Sequence, residues 1–267
     1  MKRFLALLLA LGCCLSLCGC GGGGYGVNTV VTLVEQEYSL AFRNDDILYF
    51  TVTGAIEELA YEGRVAELST KWFGRSDTVK FKKTENALEG LDIPADRTLI
   101  IGIDINSFPV AYLSAGVYWG FDVELAMSVC EKLGWTLAIQ PIEKEDVYIE
   151  LYSGNIDCAW GGIALVQKEV DSGKYTQYGP YLENDIVIAA RDGTRTRTKL
   201  QLTGRNMAMS TTQEAMEALQ TQPKIAERMG QITRLAGGTT ECFTYLYSGK
   251  CDAVLTDSTA LAYYNSH

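Results

Sequence analysis

The sequence predicts an α/β protein built as two lobes, and three observations carry that expectation. Short, near-continuous apolar runs alternate with amphipathic helical stretches, the pattern of parallel strands buried on both faces and linked by helical crossovers. The heptapeptide Leu151-Tyr152-Ser153-Gly154-Asn155-Ile156-Asp157 recurs as Leu246-Tyr247-Ser248-Gly249-Lys250-Cys251-Asp252. Each copy reads as a helix end, a glycine cap and a strand entry, one βαβ corner per lobe. A hydrophobic content of 47% allows a large buried core in one or two domains.

Taken in order, residues 1–20 read as a lipoprotein signal peptide. Lys2 and Arg3 precede an apolar run from Phe4 to Leu17, and Leu17-Cys18-Gly19-Cys20 matches a cleavage box with Cys20 as the lipidated residue. The alternative is an ordinary cleaved secretory signal; the run is short for a membrane span. Residues 21–26 form a glycine-rich tether. The β-branched run 27–33 is a strand, and 38–42 is another, with Tyr38, Leu40 and Phe42 alternating with smaller neighbours. A turn at 43–46 leads to a helix with apolar residues Ile47, Phe50, Val52, Ile56 and Leu59. Gly63 breaks it, and a short helix ends at Lys71-Trp72-Phe73-Gly74. Residues 75–96 have neither period and read as a surface linker.

Residues 99–104 (LIIGID) are a buried strand, followed by a loop to Gly120 and a helix 123–133 whose face is Leu125, Ala126, Val129, Cys130 and Leu133, closed by Gly134. Strands follow at 135–141 and 156–160, around a helix through Val147 and Leu151. Residues 185–190 are a strand before a polar turn at 191–198. A short strand 207–209 leads through Ser210-Thr211-Thr212, good N-cap material, into a helix 213–219. A strand at 252–257 ends on an acid, and 259–264 form the last helix.

The chain has 23 basic and 33 acidic residues. Loss of Lys2 and Arg3 takes the mature balance to about −12, which argues against nucleic acid as a partner and against a polybasic membrane patch. His267 is the single histidine, so Ser-His-Asp, Cys-His and histidine-based zinc chemistry are excluded. After Cys20 four cysteines remain: Cys130, Cys158, Cys242 and Cys251. They lack C-x-x-C spacing, and no metal or cofactor is expected. Cys242 to Cys251 is the preferred disulfide, because a helix ending at Gly249 would fold back onto the strand from Cys251; four buried free thiols are the alternative.

The segment 34–74, ending Lys-Trp-Phe-Gly, resembles the C-terminal end of a family 3 extracellular solute-binding protein, the amino-acid-binding type that serves ABC importers. LIIGID, the GFDVELA stretch at 120–126 and the strand order through 257 resemble the rest of that family's chain. The resemblance implies a two-lobed periplasmic-binding-protein-like (type II) fold with two mixed, mostly parallel sheets and a hinge of two crossing strands. Because the family's tail stands first here, it also implies a circular permutant, with 75–97 joining the old ends; a truncated tandem array is the rival. The expected lobes are 36–191, and 192–267 completed by the strand 27–35.

Carried over position by position, the resemblance implies a ligand cleft at the C-terminal ends of the strands. Asp104 and Asp257 match acids that contact a ligand amino group, and Ser210, Thr211 and Thr212 match the helix start that receives a carboxylate. Phe108 and Tyr112 supply an aromatic wall, and Trp160, Gly161 and Gly162 a floor. The family's carboxylate-clamping Arg has no counterpart in 164–169, where Glu169 stands near its place; Ser107 and Lys144 stand where aromatics are usual. These departures point to a cationic or amine-bearing ligand, with Lys168 as a replacement cation under the rival reading. The expected function is that of a monomeric, lipid-anchored, extracytoplasmic binding protein presenting an amino acid-like or amine ligand to an ABC permease. A dehydratase-like enzyme using Glu169 with Asp104, and a vestigial lobe pair whose cleft is plugged by Trp160 or Phe108, are the alternatives.

Overall fold

A computed structural model describes residues 26–267; the signal segment, Cys20 and most of the tether lie outside the described residues. In chain order the elements are β1 (Val27–Val34), β2 (Glu37–Phe42), α1 (Leu48–Tyr61), α2 (Arg64–Phe73), β3 (Thr98–Ile103), β4 (Asn106–Ser107), β5 (Ala111–Ser114), β6 (Val117–Trp119), α3 (Phe121–Leu133) and β7 (Thr136–Pro141). There follow α4 (Val147–Ser153), β8 (Cys158–Ala159), α5 (Gln167–Asp171), β9 (Thr176–Glu183), β10 (Ile186–Arg191), β11 (Met207–Ser210), α6 (Gln213–Gln220), α7 (Pro223–Ala226), β12 (Ile232–Leu235), α8 (Gly238–Tyr247), β13 (Ala253–Asp257) and α9 (Ser258–Ser266). Among them no helix is long and apolar enough to cross a membrane.

Two five-stranded mixed sheets organise the molecule. The first runs β7-β3-β8-β2-β9 and the second β12-β11-β13-β10-β1. In each, three parallel strands are followed by two antiparallel ones. The repeated heptapeptide sits at equivalent corners. Gly154 and Gly249 both take positive φ, 78° and 74°, where the missing Cβ removes the steric penalty. Asp157 Oδ2 accepts the Ile100 N–H at 2.9 Å, and Asp252 Oδ2 accepts the Asn206 N–H at the same distance.

The segment before Arg75 is built into both sheets. In β2, Tyr38, Leu40, Ala41 and Phe42 are fully buried between β8 and β9. Helices α1 and α2 pack on α3, and Trp72 and Phe73 share one core cluster with Leu99, Ile101 and Phe121. Not all the apolar residues noted for this helix are buried. Ile47 and Phe50 are 66% and 59% exposed, and the buried stripe is Leu48, Val52, Ala55, Ile56 and Leu59. That is the i, i+4, i+7, i+8 spacing of one helical face.

Residues 75–97 do lack helix and strand, but they are pinned. Val79 is buried, Trp135 Nε1 donates to the Pro94 carbonyl at 2.7 Å, and the Leu88 N–H donates to Glu58 at 2.9 Å. The predicted loop before Gly120 is instead a three-stranded meander, β4-β5-β6. The strand Ile186–Arg191, assigned from sequence to the first lobe, pairs with β1 and β13 in the second sheet. Cys242 and Cys251 belong to one buried cluster yet are unbridged, and Cys130 and Cys158 are likewise buried free thiols. Cys242 lies within α8 rather than in its final turn, so the fold-back expected at Gly249 does not bring the two into a bond.

Truncating Trp72 to Ala should therefore lower stability by about 3–5 kcal/mol, measured by urea unfolding. A loss under about 1 kcal/mol would mean that the leading segment is an appendage rather than part of the core.

Candidate functional site

A cavity of about 550 Å³ lies between the lobes, with walls from both sheets. From the first lobe come Asp104 at the end of β3, Phe108, Tyr112 and Leu113 of the meander, Glu143, Lys144 and Glu145 ahead of α4, and Gly162. From the second come Ser210 and Thr212, Glu214 in the first turn of α6, residues 236–240 at the start of α8, and Thr256 and Asp257 at the end of β13.

Asp104 is held by a local turn: its Oδ1 accepts the Asn106 N–H at 2.8 Å and the Asn106 side-chain N–H at 3.2 Å. Asp257 Oδ1 accepts from Asn184 Nδ2 at 2.9 Å. Asn184 is fully buried where the chain crosses between lobes; its Nδ2 also donates to the Tyr38 hydroxyl at 2.6 Å and its Oδ1 accepts from Thr259 Oγ1 at 2.6 Å. The crossing thus fixes an acid of the cleft. Ser210 and Thr212 bond to each other at 2.8 Å, and Thr212 caps α6 through the Ala215 N–H at 3.4 Å.

The floor is set one layer deeper. Ser107 Oγ donates to the Gly162 carbonyl at 2.8 Å, and the Gly162 N–H donates to Asp122 Oδ2 at 3.0 Å. The Tyr181 hydroxyl donates to the same carboxylate oxygen. Gly162 is obligatory here, because its φ is +64° and a Cβ would stand 2.3 Å from Ser107 Cβ.

Five carboxylates line this cavity (Asp104, Glu143, Glu145, Glu214 and Asp257) against one cation, Lys144. Burial is the largest cause of upward shifts at four of them. It raises Asp104 and Glu214, both partly offset by Lys144; it raises Glu143, reinforced by the charge of Asp104; and it pushes Asp257 up to about 7, reinforced by Glu214.

Of the residues nominated from sequence, Asp104, Phe108, Tyr112, Gly162, Ser210, Thr212 and Asp257 are brought together on the cavity wall. Ser107, Trp160 and Gly161 are buried behind it, and Thr211 faces solvent. Glu169 is not part of the wall: its Oε1 is paired with Lys174 Nζ at 2.7 Å, so it forms no acid pair with Asp104. Lys168 is also outside and exposed, whereas Lys144 is inside. Trp160 is fully buried and Phe108 packs against Tyr112 and Tyr263 at 4.9 Å, so neither fills the cavity. Sequence reasoning missed Glu143, Glu145 and Glu214. The one available signal was their position at helix starts, which are ordinary places for acids. Among the described residues no group of three or more His, Cys, Asp or Glu could hold a metal ion.

The model of the bacterial extracellular solute-binding proteins, family 3, matches residues 99–236. The probable amino-acid-binding protein YxeM of Bacillus subtilis (strain 168) is 27% identical over 113 residues, and the match spans 42% of this chain and 42% of that relative. Similar solved structures include a polar amino acid ABC uptake transporter substrate binding protein from Streptococcus thermophilus, with 24% identity, 60% of this chain and 61% of that one covered, and a TM-score of 0.45. Another is an ABC uptake transporter substrate binding protein from Streptococcus pneumoniae with bound histidine, with 24% identity, coverages of 62% and 68%, and a TM-score of 0.46.

Burial pushes the Asp257 and Asp122 carboxyls up to about 7, against about 4 for an ordinary carboxyl. Between those limits the folded state keeps protons that the unfolded chain sheds. The resulting stabilisation is complete below about pH 4 and is lost as pH rises through 7. The thermal midpoint of the ligand-free protein should fall between pH 5 and pH 8, and Asp257→Asn should flatten the slope. A midpoint that climbs across that interval in both proteins would contradict the raised values.

Proposed function

Because the chain belongs to the bacterial extracellular solute-binding proteins, family 3, we propose that it is a lipid-anchored receptor outside the cytoplasm, which captures a small polar, amine-bearing solute between its lobes and passes it to an ABC permease. The observation that carries this reading is the cleft wall, with five carboxylates to one lysine. Like charges held together at a half-buried surface are relieved by a cation, and an ammonium group offers N–H donors to several oxygens at once. Closure runs through the two chain crossings at 34–37 and 183–186, the connections at which one sheet can turn against the other.

The protein from Gly21 onward should show a raised thermal midpoint with amine-bearing amino acids or their amines. In calorimetry Asp257→Asn should weaken binding about 10- to 100-fold. Affinity should also decline from pH 8 to pH 6 as Asp257 takes up its proton. A receptor that bound a dicarboxylate, and bound it better at low pH, would sink the reading.

The leading segment 27–74 is read as the part that completes the family architecture from the front of the chain, a circular permutation. Two contacts support it. The Val27 N–H donates to Asn265 Oδ1, and Asn265 Nδ2 donates to the Val27 carbonyl, both at 2.8 Å, so the first strand and the last helix are tied together. Trp72 shares its core with Leu99. A chain reordered to run 97–267 and then, through a short linker, 27–74 should fold and bind the same ligand. An insoluble or non-binding product would favour the tandem-array reading.

A further inference from the structure

Three helices of the second lobe begin at the cleft, and each start already carries a carboxylate of the protein. α6 has Glu214 in its first turn, and Glu214 lines the cavity. α8 begins at Gly238, and the Gly237 N–H ahead of it donates to the helix's own Glu241 Oε2 at 2.9 Å. α9 has Asp257 as its N-cap residue. Helix N-termini attract anions because their first N–H groups are unpaired and the macrodipole is positive there. At α8 that attraction is taken by Glu241, α6 is capped by the Thr212 hydroxyl with Glu214 in its first turn, and Asp257 stands at the start of α9 without capping it, so a ligand carboxylate would meet negative charge at all three.

Nothing else on the wall compensates. Among the described residues Lys144 is the one cation lining the cavity, and it stands between Glu143 and Glu145. The remaining polar side chains are hydroxyls and the amides of Asn106 and Gln213, which already donate to Asp104 and Glu217. Thr256 on the same wall is 4% exposed, and its Oγ1 has no hydrogen-bond partner among the described residues; an ammonium donor would supply one. Five carboxylates against one lysine also leave more negative charge than a single ammonium can match.

We propose that the cleft selects a carboxylate-free dication, an α,ω-diamine or a guanidino-amine, over the amino acid that carries the same cationic chain with an α-carboxylate. The inference rests on the binding role proposed above and names the solute class for that same cleft. Ionic complementarity decides between the two ligands, since they share the same apolar chain and differ by one negative group.

Isothermal titration at pH 8 with two matched pairs tests this: cadaverine against lysine, and agmatine against arginine, with pentylamine as a single-charge control. The diamine of each pair should bind at least about tenfold tighter than its amino acid, and cadaverine at least about tenfold tighter than pentylamine. Glu214→Gln, which removes the negative charge from the first turn of α6, should narrow the gap between cadaverine and lysine, because the diamine loses an attraction while lysine loses a repulsion. Lysine or arginine binding as tightly as its decarboxylated partner, or a gap unmoved by Glu214→Gln, would overturn the carboxylate-free class and leave the amine-binding role standing. If none of the five compounds binds while a neutral amino acid does, the amine-binding role fails as well.

Discussion

One antiparallel ribbon holds the molecule together. β1 and β10 pair in the second sheet, β2 and β9 pair in the first, and the register continues from Val34 opposite Ile186 to Glu37 opposite Glu183. The Asn184 N–H donates to the Gln36 carbonyl at 2.9 Å between them. Each arm of the ribbon therefore leaves one sheet as its edge strand and enters the other as its fourth strand. Two lobes joined this way cannot separate without breaking ladder hydrogen bonds, and the link between them is confined to a few residues at the crossing. The other parts of each sheet, three parallel strands with their helices, are added to this ribbon in the same order on both sides.

The crossing and the cleft share a residue. Asn184 is buried between Tyr38 of the first lobe and Asp257 and Thr259 of the second. Its amide is fully used, so the position of Asp257 depends on the ribbon's geometry as well as on β13. The Asp257 carboxyl, its acidity weakened by burial and by Glu214, is thereby held at the crossing between the lobes. Unrelieved, the same charges oppose one another. The cleft wall is therefore a place where like charges and burial act against stability.

Much of this was legible in the chain. The strand-helix alternation, the repeated corner at Gly154 and Gly249, and the acids ending β3 and β13 are local patterns, and local patterns survive without tertiary information. The misses have equally specific causes. β9 contains Gly179 and Pro180, which lower strand propensity, and it is tolerated because it is the edge of its sheet. The meander of β4, β5 and β6 consists of strands of two to four residues, too short for a period to register. Ile47 and Phe50 are apolar like their neighbours, but the helix begins at Leu48, and its packing on α3 selects a face rotated away from them. Glu169 was nominated from the family resemblance alone, and Lys174, five residues on, pairs with it at 2.7 Å.

The sequence by itself determined the class of fold, the two-lobed plan and the family, because buried parallel strands and glycine-capped corners are written in short runs of adjacent residues. It also determined the excess of acid. Only the tertiary structure decided where that acid is concentrated. Glu143, Glu145 and Glu214 are ordinary helix-start acids until the crossing ribbon brings their helices to face Asp104 and Asp257 across one cavity. Charge repulsion and desolvation depend on distance and burial, and both are set by contacts between residues far apart in the chain.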